Sequence, residues 1–509
     1  MKLSTERILF FTFCILAASP LLFSHYPPMI DVPQHAAVIA TLHNLSLPDF
    51  PYRDLYYVDW GRPYLGGYLI LWGVSQFLPI LVSIKLLTAL AVITTPLAAS
   101  LIRAHFGGDP RWDWLLLPIG YGFAFQWGFF NFIIGAPFVL LFLLFAFKYA
   151  EAPRLKSGLW LALFSFALLP IHLLVAAFGC GLAFLYVIAG PLQWKQKLLV
   201  ALPFISPWLV IIAYLLVWVS AGEQVYSDGP WGLSIYRPIE ILATSVGLIP
   251  GRINAAIALL ILTVPFLLGA RITNDRPRQM VFLAYLLWMM VGPNFILGNF
   301  FTYNRFSLYA VPMLFVIMTK PASAARSVKY ETLLRGLLVV VPVMLIVLLC
   351  FRFVSFDKEF QDYRDIETEM QPQKRVLGLI YDNQSKIFKL PMYLHFASWY
   401  QAEHSGAVDF SFAQFSGLLL RYKPDAAVAV PPQFAWRPGT FDWKTHKGWL
   451  YDYFLVRSED GIDSKIIETA ECTVKYVTHS GSWWLYQIEL GDKNDPASCA
   501  AKRAAELRQ

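Results

Sequence analysis

Long apolar runs fill the chain from residue 1 to residue 352, and the breaks between them are short. Basic residues mark every second break: Lys148, Arg154 and Lys156; Lys195 and Lys197; Arg271, Arg276 and Arg278; Lys320, Arg326, Lys329 and Arg335. The breaks between those, GFFNF at 128–132, the turn at 170–172, and residues 221–252 and 299–305, are nearly free of lysine. This alternation predicts a polytopic α-helical membrane protein with the basic breaks in the cytoplasm. Lys2 and Arg7 hold the N-terminus inside, so the first break, residues 25–64, lies outside. The run 65–103, which ends in RAHFGGDPR with its arginines inside, has the length of two helices but must cross an odd number of times. Residues 65–78 then form a partial or interfacial segment. The count is about eleven spans, or about thirteen with one hidden pair, and either places the C-terminus outside.

Residues 25–64, HYPPMIDVPQHAAVIATLHNLSLPDFPYRDLYYVDWGRPY, are the first polar stretch. Asp31, His35, Asp49, Arg53, Asp54, Asp59 and Arg62, interleaved with prolines, exclude a membrane-spanning helix there. Pro33 suits the first turn of a helix with Asp31 just ahead of it. His35, Val38, Leu42 and Leu45 then share one face, so the helix lies flat with an apolar side against lipid or protein. Residues 221–252 form a second long outer loop, with Glu223, Asp228, Arg237, Glu240 and Arg252 and room for an interfacial helix. Beyond 352 no apolar run is long enough to span. Residues 353–509 alternate in the manner of a soluble α/β domain of about 150 residues. In it RVLGLIYD (375–382) and YDYFLVRS (451–458) read as buried strands, and TVKYVTHSGSWWLYQIEL as a hairpin turning at Ser480-Gly481.

Composition narrows the function. The chain is 57% hydrophobic and 15% charged, with a net charge of +7. Because Lys and Arg are dispersed among the breaks, that charge writes topology and no nucleic-acid partner is expected. Of five cysteines, Cys14, Cys180 and Cys350 lie in apolar runs. Cys472 and Cys499 lie in polar sequence, where an oxidising compartment would allow a disulfide that spacing alone does not fix. MKLSTERILFFTFCILAAS has the outline of a signal peptide, but a first span followed by many others reads as an anchor.

The spans from residue 65 onward contain Lys85 but, on these boundaries, no Asp or Glu. Ion-coupled transport needs ionisable groups at mid-membrane depth, so the outer acids point instead to work at the membrane–water boundary. Each candidate also has an ordinary structural role open to it. Asp31 suits an N-cap, His35 and His172 suit buried hydrogen-bonded histidines, Asp59 a salt-bridged acid, and Arg305 an interface anchor. The aromatic stretch 390–406, with His395, Trp399, Tyr400 and His404, suits a packed core or a platform for sugar rings. The combination has a functional reading. A sugar carried on a lipid phosphate already has a good leaving group, so transfer needs a carboxylate to take the acceptor's proton and cations to hold the phosphate. Asp31 is the candidate base, and Arg62, Arg252 and Arg305 are the candidates for the phosphate.

An Asp shortly after the first span, in YPPMIDVPQHAAVIATL, followed by many helices and a soluble tail, resembles the GT-C integral-membrane glycosyltransferases. That superfamily includes protein O-mannosyltransferases and the aminoarabinose transferases of lipid A. The DxPxH loop, GFFNFIIGAPF and the outer-loop NRF resemble bacterial membrane proteins grouped with it. The resemblance implies inverting transfer from a polyprenyl-phosphate-linked sugar to an envelope lipid, glycan or protein, on the periplasmic side of the inner membrane. It also implies that Asp31 is the base. Four residues apart on one helix, Asp31 and His35 converge near its start, where they hydrogen-bond each other or hold a cation; His35 and Asp59 are further catalytic candidates, and Asn131 and His172 are candidates for substrate binding. Many members carry a second acid where this chain has Asn131, so a divalent cation held by an acidic pair would need Asp59 instead. Two other readings are a lipid-linked-sugar flippase or polysaccharide assembly factor using the same arginines, and a degenerate enzyme lacking the second acid.

Overall fold

The computed structural model describes residues 5–220, 229, 231–246, 251–296, 299–320, 330–415, 417–431 and 433–507. Lys2, Glu223, Asp228, Arg326 and Lys329 lie outside them. The chain divides into two compact units. One comprises Met1–Phe23, Pro63–Gly67 and Lys85–Phe353; the other comprises Ser24–Arg62, Tyr68–Ile84 and Val354–Gln509.

Among the described residues, five helices are long and apolar enough to cross a bilayer: Thr5–Leu22, Ile80–His105, Phe130–Glu151, Trp194–Val217 and Glu331–Glu367. Shorter apolar helices occupy Leu65–Val74, Leu155–Ile171, Leu173–Ala189 and Gly251–Leu267. Fewer helices therefore reach full length than the apolar runs alone suggest, because several runs are broken. The run 65–103 parts around Pro79 into helices of 10 and 26 residues. At about 1.5 Å per residue the shorter one covers only half of a hydrocarbon core about 30 Å thick. The run after Arg154 parts at His172, whose extended backbone (φ −165°, ψ 114°) follows Pro170.

In the first unit several polar side chains are turned inward and paired. Arg103 of the RAHFGGDPR segment donates from Nε and Nη2 to the two oxygens of Asp113, both at 2.7 Å, with each side chain 6% exposed. Such a bidentate pair is how two charges survive burial. The second outer loop contains the helix Arg237–Ser245, where Glu240 accepts from the Tyr303 hydroxyl at 2.7 Å and the Arg237 guanidinium lies 4.1 Å from the Tyr303 ring centre.

The second unit is built on a five-stranded sheet: β1 (Arg375–Ile380), β2 (Ala407–Val408), β3 (Tyr453–Arg457), β4 (Thr473–Ser480) and β5 (Trp483–Glu489), in the order β4-β5-β3-β1-β2. β1 runs parallel to β2 and β3, while β3, β5 and β4 pair antiparallel. The apolar runs RVLGLI and YFLVR form its middle and are buried, as strands covered on both faces must be. Ser480 pairs with Trp483 across a two-residue turn that needs Gly481 at φ +53°. A Cβ at Gly378 would stand 3.0 Å from that of Ala397, so glycine lets the helix Ala397–His404 approach β1. Arg375 and Asp409 form a buried ion pair at 2.6 Å, to which Tyr451 adds a hydroxyl donor at 2.7 Å. Cys472 and Cys499 are joined in a disulfide.

The first polar stretch is part of this same unit. Its helix, Val32–Asn44, packs against Ala397–His404, and Gln401 Nε2 donates to Thr41 Oγ1 at 3.0 Å. Every residue from Val32 to Thr41 is buried, so protein covers the helix all round, where amphipathic spacing alone asks for one covered side. Further along, Tyr56–Val58 pairs antiparallel with Leu420–Tyr422.

Candidate active site

Asp31 occupies the N-cap position of Val32–Asn44, with Pro33 in the first turn, yet its side chain makes no capping hydrogen bond. Its Oδ1 lies 3.5 Å from Nε2 of His395, and its side chain is 14% exposed against 5% for the histidine. The Asp31 side chain is therefore largely sheltered, with an imidazole from the tail beside its carboxylate. His35, one turn along, does not meet Asp31 through its ring. Its Nδ1 is 2.7 Å from the Tyr68 hydroxyl, and its ring stands edge-on to Phe412 with centroids 5.6 Å apart.

Asp59 is engaged by its own loop. Arg62 Nε donates to Asp59 Oδ2 at 2.6 Å, the Gly61 N–H donates to Oδ1 at 3.2 Å, and Arg421 lies 3.7 Å from Oδ2. An acid with this many partners is held rigidly and carries two guanidinium groups with it.

A second group of candidates meets in the helical unit around Tyr64. Asn131, at the start of Phe130–Glu151, donates from Nδ2 to the Tyr64 carbonyl at 3.2 Å. Asn299 donates from Nδ2 to the Tyr64 hydroxyl at 2.8 Å, and the His172 ring stands edge-on to the Tyr64 ring at 4.6 Å. Tyr64 has φ +68°, a left-handed conformation that an L side chain adopts only when its surroundings enforce it. Arg305 is 9% exposed, donates from Nε to the Phe300 carbonyl at 2.8 Å, and stacks over Phe129 with its central carbon 3.5 Å from the ring centre. Two polar atoms of the group, Asn131 Oδ1 and His172 Nδ1, are buried without a hydrogen-bond partner. Buried atoms of that kind are uncommon and call for an explanation.

Arg252 stands apart, exposed at the start of Gly251–Leu267. Among the described residues no cluster of three or more His, Cys, Asp or Glu side chains is arranged to hold a metal ion. His395, Tyr64, Tyr68 and Asn299 are the partners that sequence patterns did not assign to the site. A histidine in an aromatic stretch far from Asp31 carries no local signal of that pairing, and neither does a tyrosine with positive φ.

No protein-family model matches the chain, and no curated protein does. Among solved structures, the crystal structure of ArnT from Cupriavidus metallidurans bound to undecaprenyl phosphate is similar along almost the whole length. The TM-score is 0.53 at 10% identity, covering 94% of this chain and 97% of that one. The chain thus has an ArnT-like GT-C fold, that of a multi-pass helical membrane protein with a C-terminal sheet-containing domain.

Proposed function

We propose that the protein is a membrane glycosyltransferase that moves a sugar, with inversion, from a polyprenyl-phosphate-linked donor to an envelope acceptor at the periplasmic face of the inner membrane. The observation that carries this reading is Asp31. It is an acid at a helix start that caps no backbone amide and whose side chain is 14% exposed. In the reaction the acceptor hydroxyl oxygen attacks the anomeric carbon and gives its proton to Asp31. The bond from that carbon to the phosphate oxygen breaks, and the lipid phosphate leaves with the electron pair. No acid is needed at the leaving group, because a phosphate departs as a stable anion.

The Tyr64 group is assigned the phosphate. A buried, aromatic-stacked guanidinium with fixed geometry is suited to phosphoryl oxygens. The unpaired His172 Nδ1 and the enforced Tyr64 backbone support a role in ligand binding. Asp31 and Arg305 belong to different units, and their roles are assigned separately. The likeness in fold to a protein crystallised with undecaprenyl phosphate supports the choice of carrier. The Cys472–Cys499 bridge supports placing the tail in an oxidising compartment.

The test is a panel of undecaprenyl-phosphate-linked radiolabelled sugars incubated with membranes containing the full chain. Release of undecaprenyl phosphate together with label in a new product of inverted anomeric configuration is expected for one donor. Label that is never transferred, for any donor, overturns the reading.

A further inference from the structure

The geometry points to His395 as a positioning residue for Asp31: its Nε2–H holds one carboxylate oxygen so that the other is presented to the acceptor hydroxyl. This rests on the assignment of Asp31 as base and adds a residue from the opposite end of the chain.

Asp31 has little else to fix it. Its side chain makes no capping bond, and Oδ1 lies at 3.5 Å from His395 Nε2, a distance that catalytic pairs commonly show before substrate tightens them. His395 itself is immobilised. It is 6% exposed, its ring is parallel to Phe410 (interplanar angle 9°, centroids 5.2 Å apart), and it meets Phe412 edge-on at 5.7 Å. Those two aromatic walls are tied to the helix that begins at Asp31. Gln34 donates from Nε2 to the Phe410 carbonyl at 3.2 Å, and its Oε1 accepts from the Phe412 N–H at 2.9 Å. Acid, histidine and the walls around the histidine are thereby referenced to one helical turn.

The tautomer follows from the partners. Nδ1 of His395 is buried and has no hydrogen-bond partner, so a hydrogen there would be buried unpaired. A hydrogen on Nε2 has the Asp31 carboxylate oxygen as its neighbour, 3.5 Å from the nitrogen. The neutral ring with Nε2–H therefore orients Asp31 without cancelling its charge, which leaves the carboxylate able to accept a proton. During transfer that proton passes from the acceptor hydroxyl to Asp31, and His395 exchanges none.

The test uses the purified full chain and the undecaprenyl-phosphate-linked sugar that supports turnover. His395→Phe keeps a ring against Phe410 and removes the donor; His395→Gln keeps an N–H near the position of Nε2. His395→Phe is expected to lower kcat about 10- to 100-fold while KM for the donor lipid changes less than about twofold. His395→Gln should recover most of the lost kcat. Equal losses in the two variants, or a His395→Phe enzyme with unchanged kcat, overturn the inference. If His395→Phe does not fold, His395→Met replaces it with the same expectations. Asp31→Asn separates the two levels. If it is inactive while His395→Phe is normal, only this inference falls; if it retains turnover, the assignment of the base falls.

Discussion

A methyl group placed on Gly67 would overlap the side-chain oxygen of Asn131, so these two residues pack against each other with no room for a Cβ. The contact sets Asn131 against the backbone that leads into Leu65–Val74, where its Nδ2 holds the Tyr64 carbonyl. Gly67→Ala is expected to destabilise the protein by about 1–3 kcal/mol, as overpacking does. In an Asn131→Ala background the same change should cost at least about 0.5 kcal/mol less. Thermal unfolding of the four proteins in a double-mutant cycle measures this. Additive losses contradict the contact.

Arg305 is buried, anchored through Nε to a backbone carbonyl, and stacked on Phe129. Lysine keeps the charge but loses the planar fork and the stacking. Arg305→Lys should weaken binding of undecaprenyl phosphate by about tenfold or more, which corresponds to about 1.4 kcal/mol. Titration of the lipid into detergent-purified protein checks it, and an unchanged affinity removes Arg305 from the phosphate site.

In the sheet unit the Arg375–Asp409 pair is almost wholly enclosed, with side chains 3% and 2% exposed. Arg375→Ala leaves a buried carboxylate without its cation, a loss of about 3–5 kcal/mol. Replacing both members with apolar residues, Arg375→Met with Asp409→Leu, should recover much of it. Thermal melts and limited proteolysis of the full chain report both steps.

The cysteine pair gives a chemical test. Cys472 and Cys499 should resist alkylation until a reductant is added, whereas an unbridged pair would label without reduction. Cys472→Ser should lower stability by about 2–4 kcal/mol, the usual effect of opening such a loop.

How much of this was legible in the sequence depended on how local the signal was. The strands around Arg375–Ile380 and Tyr453–Arg457 announce themselves as unbroken apolar runs, and the hairpin by Gly481 in a β pattern. Pro33 marks a helix start with Asp31 ahead of it. The surroundings of that helix were not legible. Gln34 and Thr41 are polar residues on a helix buried through tertiary hydrogen bonds to the tail, and amphipathic spacing does not report partners so distant in sequence. Arg103 likewise reads as a loop charge until Asp113 folds back onto it. The pairing of Asp31 with His395 is the extreme case, since nothing within one turn of either residue specifies it.

The assignment of Asp31 as the base stands or falls most directly on Asp31→Asn in the transfer assay with an undecaprenyl-phosphate-linked sugar. The amide keeps shape and removes basicity. Turnover should fall by about 100- to 10,000-fold, the contribution of a positioned base, with undecaprenyl phosphate bound as tightly as before. Transfer that continues at the original rate, or labelled lipid that crosses between leaflets unconsumed, would contradict the account.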